Sequence, residues 1–212
     1  MPLSRRIYSV LAVLLMVFGV DNVMATEEAK YSVVLKDHEF EVRAYESHIL
    51  AETMVEGKFS NAGNKAFRRL FKYITGNNQA QQKVQMTAPV SQAAKSEKIA
   101  MTAPVSQQQS DGKWAVSFMM PASSTLETLP QPNDPQVVLR QVPARHMAVV
   151  RYSGLWRKGN YQRHSDALFA WIRKQGLTVT GEPVWARYNP PFTPWFLRRN
   201  EIFVPINATS KK

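Results

Sequence analysis

The period of the apolar positions changes several times along the chain, and each change marks an element. Over 64–75, Phe67, Leu70, Phe71 and Ile74 recur at i, i+3, i+4 and i+7, one face of a helix, with Gly76 placed to end it. Over 160–175, Tyr161, His164, Leu168, Trp171 and Ile172 form a second stripe, with Asn160 as the expected N-cap and Gly176 past the end. Val42-Arg43-Ala44-Tyr45 and Met147-Ala148-Val149-Val150-Arg151-Tyr152 have the β-branched and aromatic bias of strands. Further extended segments are expected at 84–90, 99–105 and 114–120, and again at 183–188 and 201–206.

The pattern repeats itself on two scales. Setting 40–59 over 137–156, an offset of 97, aligns Arg43 with Arg140, Ala51 with Ala148, Gly57 with Gly154 and Phe59 with Trp156, and a helical stripe follows each glycine. On a shorter scale, Met86-Thr87-Ala88-Pro89-Val90 recurs 15 residues later as Met101-Thr102-Ala103-Pro104-Val105. Ala88 and Ala103 precede prolines and are pushed towards extended geometry, while the prolines cannot donate to a ladder, so each copy belongs at a strand end, bulge or edge. The copies contain nothing that titrates near neutrality; they are expected to be structural, with the Met and Val side chains largely buried.

Neither half alone buries both faces of a sheet. The expectation is one α+β domain, a distorted, mainly antiparallel β-barrel built from two pseudo-symmetric halves, about 31–121 and 136–206, with two flanking helices. Pro130, Pro132, Pro135 and Pro143 mark a short, turn-rich crossing between the halves.

The doubled Met-Thr-Ala-Pro-Val is followed by Phe118-Met119-Met120-Pro121, Leu126-Glu127-Thr128-Leu129-Pro130 and Pro132-Asn133-Asp134-Pro135. Nearer the end come Ala186-Arg187-Tyr188-Asn189-Pro190-Pro191-Phe192 and Arg198-Arg199-Asn200-Glu201. In this order, over about 31–206, these motifs resemble the SOUL haem-binding family. The resemblance implies a distorted barrel of two pseudo-symmetric halves and a tetrapyrrole held by the exposed face of the first helix and the loop at Pro190-Pro191-Phe192. Carried over by position, Phe67, Phe71 and Lys72 match the helix and Phe192 the loop. The histidine sometimes proposed as axial ligand is replaced by Ala44, and the basic residue after the loop aromatic by Thr193.

Residues 1–25 read as an address: Arg5 and Arg6, a largely apolar run over 7–20, and Val23-Met24-Ala25 before a cleavage point. An uncleaved membrane anchor is the competing reading, but this 14-residue run falls short of the roughly 20 needed to span a bilayer as a helix. A mature chain of 26–212, periplasmic or secreted, would have to be stable by packing alone, because there is no cysteine. The lack of cysteine also excludes thiol catalysis, zinc–thiolate sites and covalent c-type haem. Removing Arg5, Arg6 and Asp21 from the 27 basic and 16 acidic residues leaves 25 and 15, a net of +10. Such a surface attracts anions, and for an exported protein phospholipid headgroups, anionic glycans or ligand carboxylates fit better than nucleic acid.

Reaction machinery is not legible. There is no nucleophile elbow, no phosphate-cradling glycine loop and no pair of histidines at helical metal spacing. Glu182, Tyr188, Arg199 and Glu201 are distant residues that folding could bring together; the Arg198–Glu201 run reads either as an anion site or as a solvated strand end. Of His38, His48, His146 and His164, the candidate axial ligands are His48 and His164, the latter on the inward stripe of the second helix, where it also fits a helix-to-sheet tether. On the first helix Phe67 and Phe71 are ringed by Lys65, Arg68, Arg69 and Lys72, a surface suited to a flat macrocycle with carboxylates. An amphipathic helix with aromatics inside and cations in water has the same pattern.

The expected protein is therefore an exported, non-enzymatic binder of haem or another tetrapyrrole, held non-covalently, with no metal site of its own, no nucleic-acid partner and a monomeric state. The rivals are a protein-interaction or membrane-surface module using the same face, and a binder of another small amphipathic ligand.

Overall fold

The computed structural model describes residues 26–57, 59–80, 96–110 and 112–207. The segment read as an address and the first copy of the doubled motif lie outside the described residues. The elements in order are β1 (Tyr31–Asp37), β2 (Phe40–Tyr45), β3 (His48–Val55), α1 (Phe59–Ile74), β4 (Asn78–Gln79), β5 (Val105–Ser110), β6 (Lys113–Met119), β7 (Gln131–Pro132), β8 (Val138–Val142), β9 (Arg145–Tyr152), α2 (Lys158–Lys174), β10 (Thr178–Val179), β11 (Val184–Arg187), a 3₁₀ turn (Trp195–Leu197) and β12 (Asn200–Asn207).

Ten of the strands form one antiparallel sheet in the order β1-β2-β9-β12-β11-β5-β6-β3-β8, with β10 also on β12. Its two edges, β1 and β8, do not meet, so the expected barrel is not closed. The reason lies in pairing: β2 gives one edge to β9 and the other to β1, leaving none for β8. With β1 set aside, the order is β2-β9-β12-β11 followed by β5-β6-β3-β8, the same succession of strand roles read from either end. The offset of 97 carries His48–Val55 onto Arg145–Tyr152, the bounds of β3 and β9.

Register shows where the helices lie. Thr53, Val116, Gln107, Trp185, Ile202, Val150 and Phe40 are successive cross-strand partners, so they share one face of the sheet. Val116 packs in the cluster with Leu70 and Tyr73 of α1, while Trp185, Ile202 and Val150 pack in the cluster with Leu168, Trp171 and Ile172 of α2. Both helices therefore cover the same face. The opposite face holds a third cluster of Tyr45, Met147, Val149, Val184, Ala186 and Phe203.

Details differ from the sequence pattern. Helix α1 starts five residues earlier than its stripe, and its buried face runs through Ala62, Ala66, Leu70, Tyr73 and Ile74, leaving Phe71 exposed. The two alanines bring the helix axis close to β3 and β6, and the Tyr73 hydroxyl reaches across to donate to the Pro130 carbonyl at 2.9 Å. In α2, Asn160 is not the cap; Arg157 is, and the Asn160 amide donates to the Ser153 and Leu155 carbonyls in the turn before it. Residues 99–102 do not form the expected strand; β5 begins only at Val105. They are held at single points instead, by Ile99 N–H to the Ile74 carbonyl, Ala103 N–H to the Glu27 carbonyl, and the Thr102 hydroxyl to the Met119 carbonyl.

Candidate functional site

A groove of about 360 Å³ opens on the helix side of the sheet, where the two halves meet. Helix α1 lines it with Gly63, Asn64 and Phe67, the second copy of the doubled motif with Met101, Thr102, Ala103 and Val105, and the far wall is Trp156 with 187–191. Gly63 permits the close approach: a β-carbon there would sit 3.3 Å from the Gln107 Oε1 and 3.8 Å from the Arg187 Nη1. Phe67 meets Phe118 edge-on at 5.3 Å on its inner side and is stacked with Phe71 at 5.8 Å.

Arg187 supplies the cation of the groove. Its guanidinium lies 4.2 Å from the Trp185 ring centroid and 4.9 Å from that of Trp156, and Arg198 lies 4.3 Å from Trp156. Burial, reinforced by repulsion from Arg198, pulls Arg187 down to about 10, which still leaves it charged at neutral pH. An anion arriving beside it would reverse that shift. Trp156 is fixed by its indole N–H, which donates to the Asn200 Oδ1 at 2.7 Å, and Asn200 in turn donates to the Gly154 carbonyl.

The candidate residues read from the sequence fall in different places. Phe67 lines the groove. Phe71 stacks on Phe67 but is 42% exposed, and Lys72 projects into solvent. Phe192 follows the Pro190-Pro191 wall and is 85% exposed. His48 lies at the other face, where its ring N–H donates to the Glu46 carbonyl at 2.9 Å. His164 stacks on Tyr152 at 4.2 Å, joining α2 to β9. Burial lowers both imidazoles below the ordinary histidine value. Neither lines the groove, and among the described residues no group of three or more metal-binding side chains is gathered.

Met101, Trp156 and Arg187 were not singled out as groove residues in the sequence. Met101 belongs to the doubled motif but is 45% exposed rather than buried, because the segment runs along the groove rim and not under the sheet. The sequence signal for Arg187 and the far wall is the Ala186–Phe192 motif, which contains both.

The face away from the helices holds a tighter cavity of about 70 Å³ beside a buried charge cluster. Glu201, fully buried, accepts from Arg43 at 2.8 Å, from Arg199 at 2.9 Å and from the Tyr188 hydroxyl at 2.9 Å. Arg43 also pairs with Glu41, and Arg199 with Glu28. The Arg198–Glu201 run is thus no solvated strand end: β12 turns Glu201 inward, where its carboxylate bridges two guanidiniums whose charge it balances together with Glu41 and Glu28. Tyr188, Arg199 and Glu201 do converge, while no hydrogen bond or ion pair among the described residues joins the exposed Glu182 to them; its backbone carbonyl accepts from the Gln108 side chain. Burial pushes the Tyr188 phenol well above its usual value, so it stays a neutral donor.

The geometry defines an α+β protein: a mostly antiparallel sheet with two helices on one face and a groove between the first helix and a proline-rich loop. The family model described as SOUL heme-binding protein matches residues 26–205, and the chain belongs to that family. Heme-binding protein 1 of Xenopus tropicalis is 27% identical over 168 residues, 77% of this chain and 82% of that protein. Among solved structures, the EcmrR C-terminal domain is similar at a TM-score of 0.53 with 11% identity, covering 84% of this chain and 98% of that one. A hydrolase from Listeria innocua is similar at 0.52 with 10% identity, covering 82% and 94%. At such identities the likeness is one of fold alone.

Proposed function

We propose that the protein is an exported haem- or tetrapyrrole-binding protein that acts by binding rather than catalysis, and that the groove between α1 and the 187–191 wall is the binding site. The observation that carries this reading is the pairing of aromatic area, Phe67 and Trp156, with the half-buried Arg187 cation in one groove of about 360 Å³, within the range of ligand sites. A tetrapyrrole brings a flat apolar ring, propionate anions and, in haem, an iron with open axial positions. Phe67, Val105, Trp156 and Pro190 offer apolar contact to such a ring, Arg187 offers the charge for a carboxylate, and Phe71 and Phe192 extend the apolar rim on either side. The Met101 thioether on the rim is the lining side chain that would offer a bound iron a soft, weak donor.

Absorption titration with haemin and with metal-free protoporphyrin tests this. The two bind within about tenfold, a gap of roughly 1.4 kcal/mol, and Phe67→Ala and Arg187→Ala weaken both. Titrations unchanged by those substitutions would place the ligand elsewhere. Loss of a low-spin haem spectrum in His48→Ala or His164→Ala would overturn the ligand-poor site while leaving haem binding intact. Export rests on the 1–25 segment, and a mature N-terminus at Thr26 in the exported fraction is its signature.

A further inference from the structure

The loop after the groove wall is apolar outward. Phe192, Trp195, Phe196 and Leu197 are 85%, 55%, 58% and 64% exposed, and Leu155 adds 39% beside them, where the Gly154 N–H donates to the Trp195 carbonyl at 3.0 Å. Scattered apolar side chains on a surface need no explanation, but four large ones within six residues form a patch that marks an interaction site.

The loop backbone is fixed rather than slack. Arg198 donates to the Pro191 carbonyl at 2.6 Å and the Thr193 carbonyl at 2.8 Å, Leu197 N–H to Pro194, and Arg199 N–H to the Asn189 side chain. Its polar groups turn inward and its apolar side chains outward, an arrangement suited to entering an apolar phase without stranding backbone donors.

Charge identifies the phase. Segments 153–163 and 189–199, joined at Gly154 and Trp195, contain Arg157, Lys158, Arg163, Arg198 and Arg199 and no acidic residue, on a chain of net +11. Arg199 is committed to Glu201 and Glu28; the other four have no carboxylate within ion-pair distance among the described residues. Trp and Phe with exposed cations on the neighbouring segment, Arg157, Lys158 and Arg163, match the interfacial zone of an anionic bilayer, where the aromatics sit at headgroup depth and the cations pair with phosphates.

We infer that the 192–197 loop, with Leu155 and the basic start of α2, docks the protein on anionic phospholipid membranes, with Phe192, Trp195, Phe196 and Leu197 entering the interface. The docking edge adjoins Pro190 and Pro191 of the groove wall, so docking brings that wall close to the lipid surface. The inference is independent of haem, and its test contains none, so its failure leaves the groove reading standing.

The absence of cysteine makes a site-specific probe simple. In the full chain, Phe196→Cys carries an environment-sensitive fluorophore, and Val138→Cys, 57% exposed on β8, serves as control. The apolar 7–20 segment can itself bind vesicles, so the readout is local: quenching of each probe by acyl-chain-brominated lipid in phosphatidylglycerol-containing vesicles. The expected result is quenching at position 196 and not at 138, lost in pure phosphatidylcholine. Arg157→Glu with Lys158→Glu, added to the Phe196→Cys chain, raises the lipid concentration for half-maximal quenching at 196 at least about tenfold. Equal quenching at both positions, no quenching at 196, or indifference to lipid charge would overturn the inference. So would a lipid-free emission shift at 196 that grows with protein concentration, since the patch would then face a second copy of the chain.

Discussion

Phe67 and Phe71 lie one helical turn apart with their rings stacked at 5.8 Å and 13° between planes, yet only Phe67 reaches the groove and the sheet. The same pair of side chains thus divides between packing and surface. Phe67→Ala is expected to cost about 2–3 kcal/mol of stability, under the range for a fully buried phenylalanine. Phe71→Ala is expected to cost under about 1 kcal/mol, while trimming the rim of the groove. Urea denaturation of both variants checks this, and equal losses would mean that Phe71 is core.

Glu201, itself fully buried, holds two guanidiniums and a phenol, so its removal leaves Arg43 with Glu41 alone and Arg199 with Glu28 alone as carboxylate partners among the described residues. Glu201→Gln is expected to destabilise by about 3–5 kcal/mol, the cost of breaking one side of a buried ion pair. A thermal melt close to that of the parent protein would show the cluster to be wet rather than buried.

Acid should weaken the fold before the carboxylates titrate. Burial lowers His48, with help from Arg145 and Arg140, and lowers His164, with help from Arg163. A folded value below the unfolded 6.5 means the unfolded chain takes up the proton first; this contribution is complete above about 6.5 and is lost as pH falls through the folded values. His38 runs the other way, raised by Asp37, but is exposed. Denaturation midpoints should therefore drop between roughly pH 7 and pH 5, with a shallower drop in His48→Gln. An identical slope in that variant would remove His48 from the account.

If 31–121 and 136–206 are two copies of one unit, Gly57 and Gly154 are equivalent. Both hand a strand over to a helix, at φ of 118° and 117°, a conformation that L side chains rarely adopt. Alanine at either should cost about 1–3 kcal/mol from backbone strain. Gly154→Ala should cost more, because its β-carbon would lie 2.8 Å from the Asn160 Nδ2, whereas that of Gly57 meets open space. Reversed order in chemical denaturation would contradict these environments.

What the sequence determined is what local pattern and order can carry. The helical stripes, the strand-forming runs at 42–45, 114–120, 147–152, 183–188 and 201–206, and the glycines that end α1 and α2 depend on neighbours within one turn or one pleat, and the structure places them within a few residues. The linked motifs carried the family. Four matters were decided only by the tertiary structure. Whether the sheet closes depends on which strand takes the free edge of β2, and β1, which no periodicity marked, takes it. Which way α1 faces depends on Ala62 and Ala66, whose small side chains carry little hydrophobic signal but allow the closest approach, turning Phe71 out. The groove draws Phe67, Met101, Trp156 and Arg187 from four separate segments, and their proximity is set by long-range pairing of β5 with β11. Burial and charge at Glu201 are of the same kind: a carboxylate in a run of arginines looks solvated until the strand's pleat turns it inward.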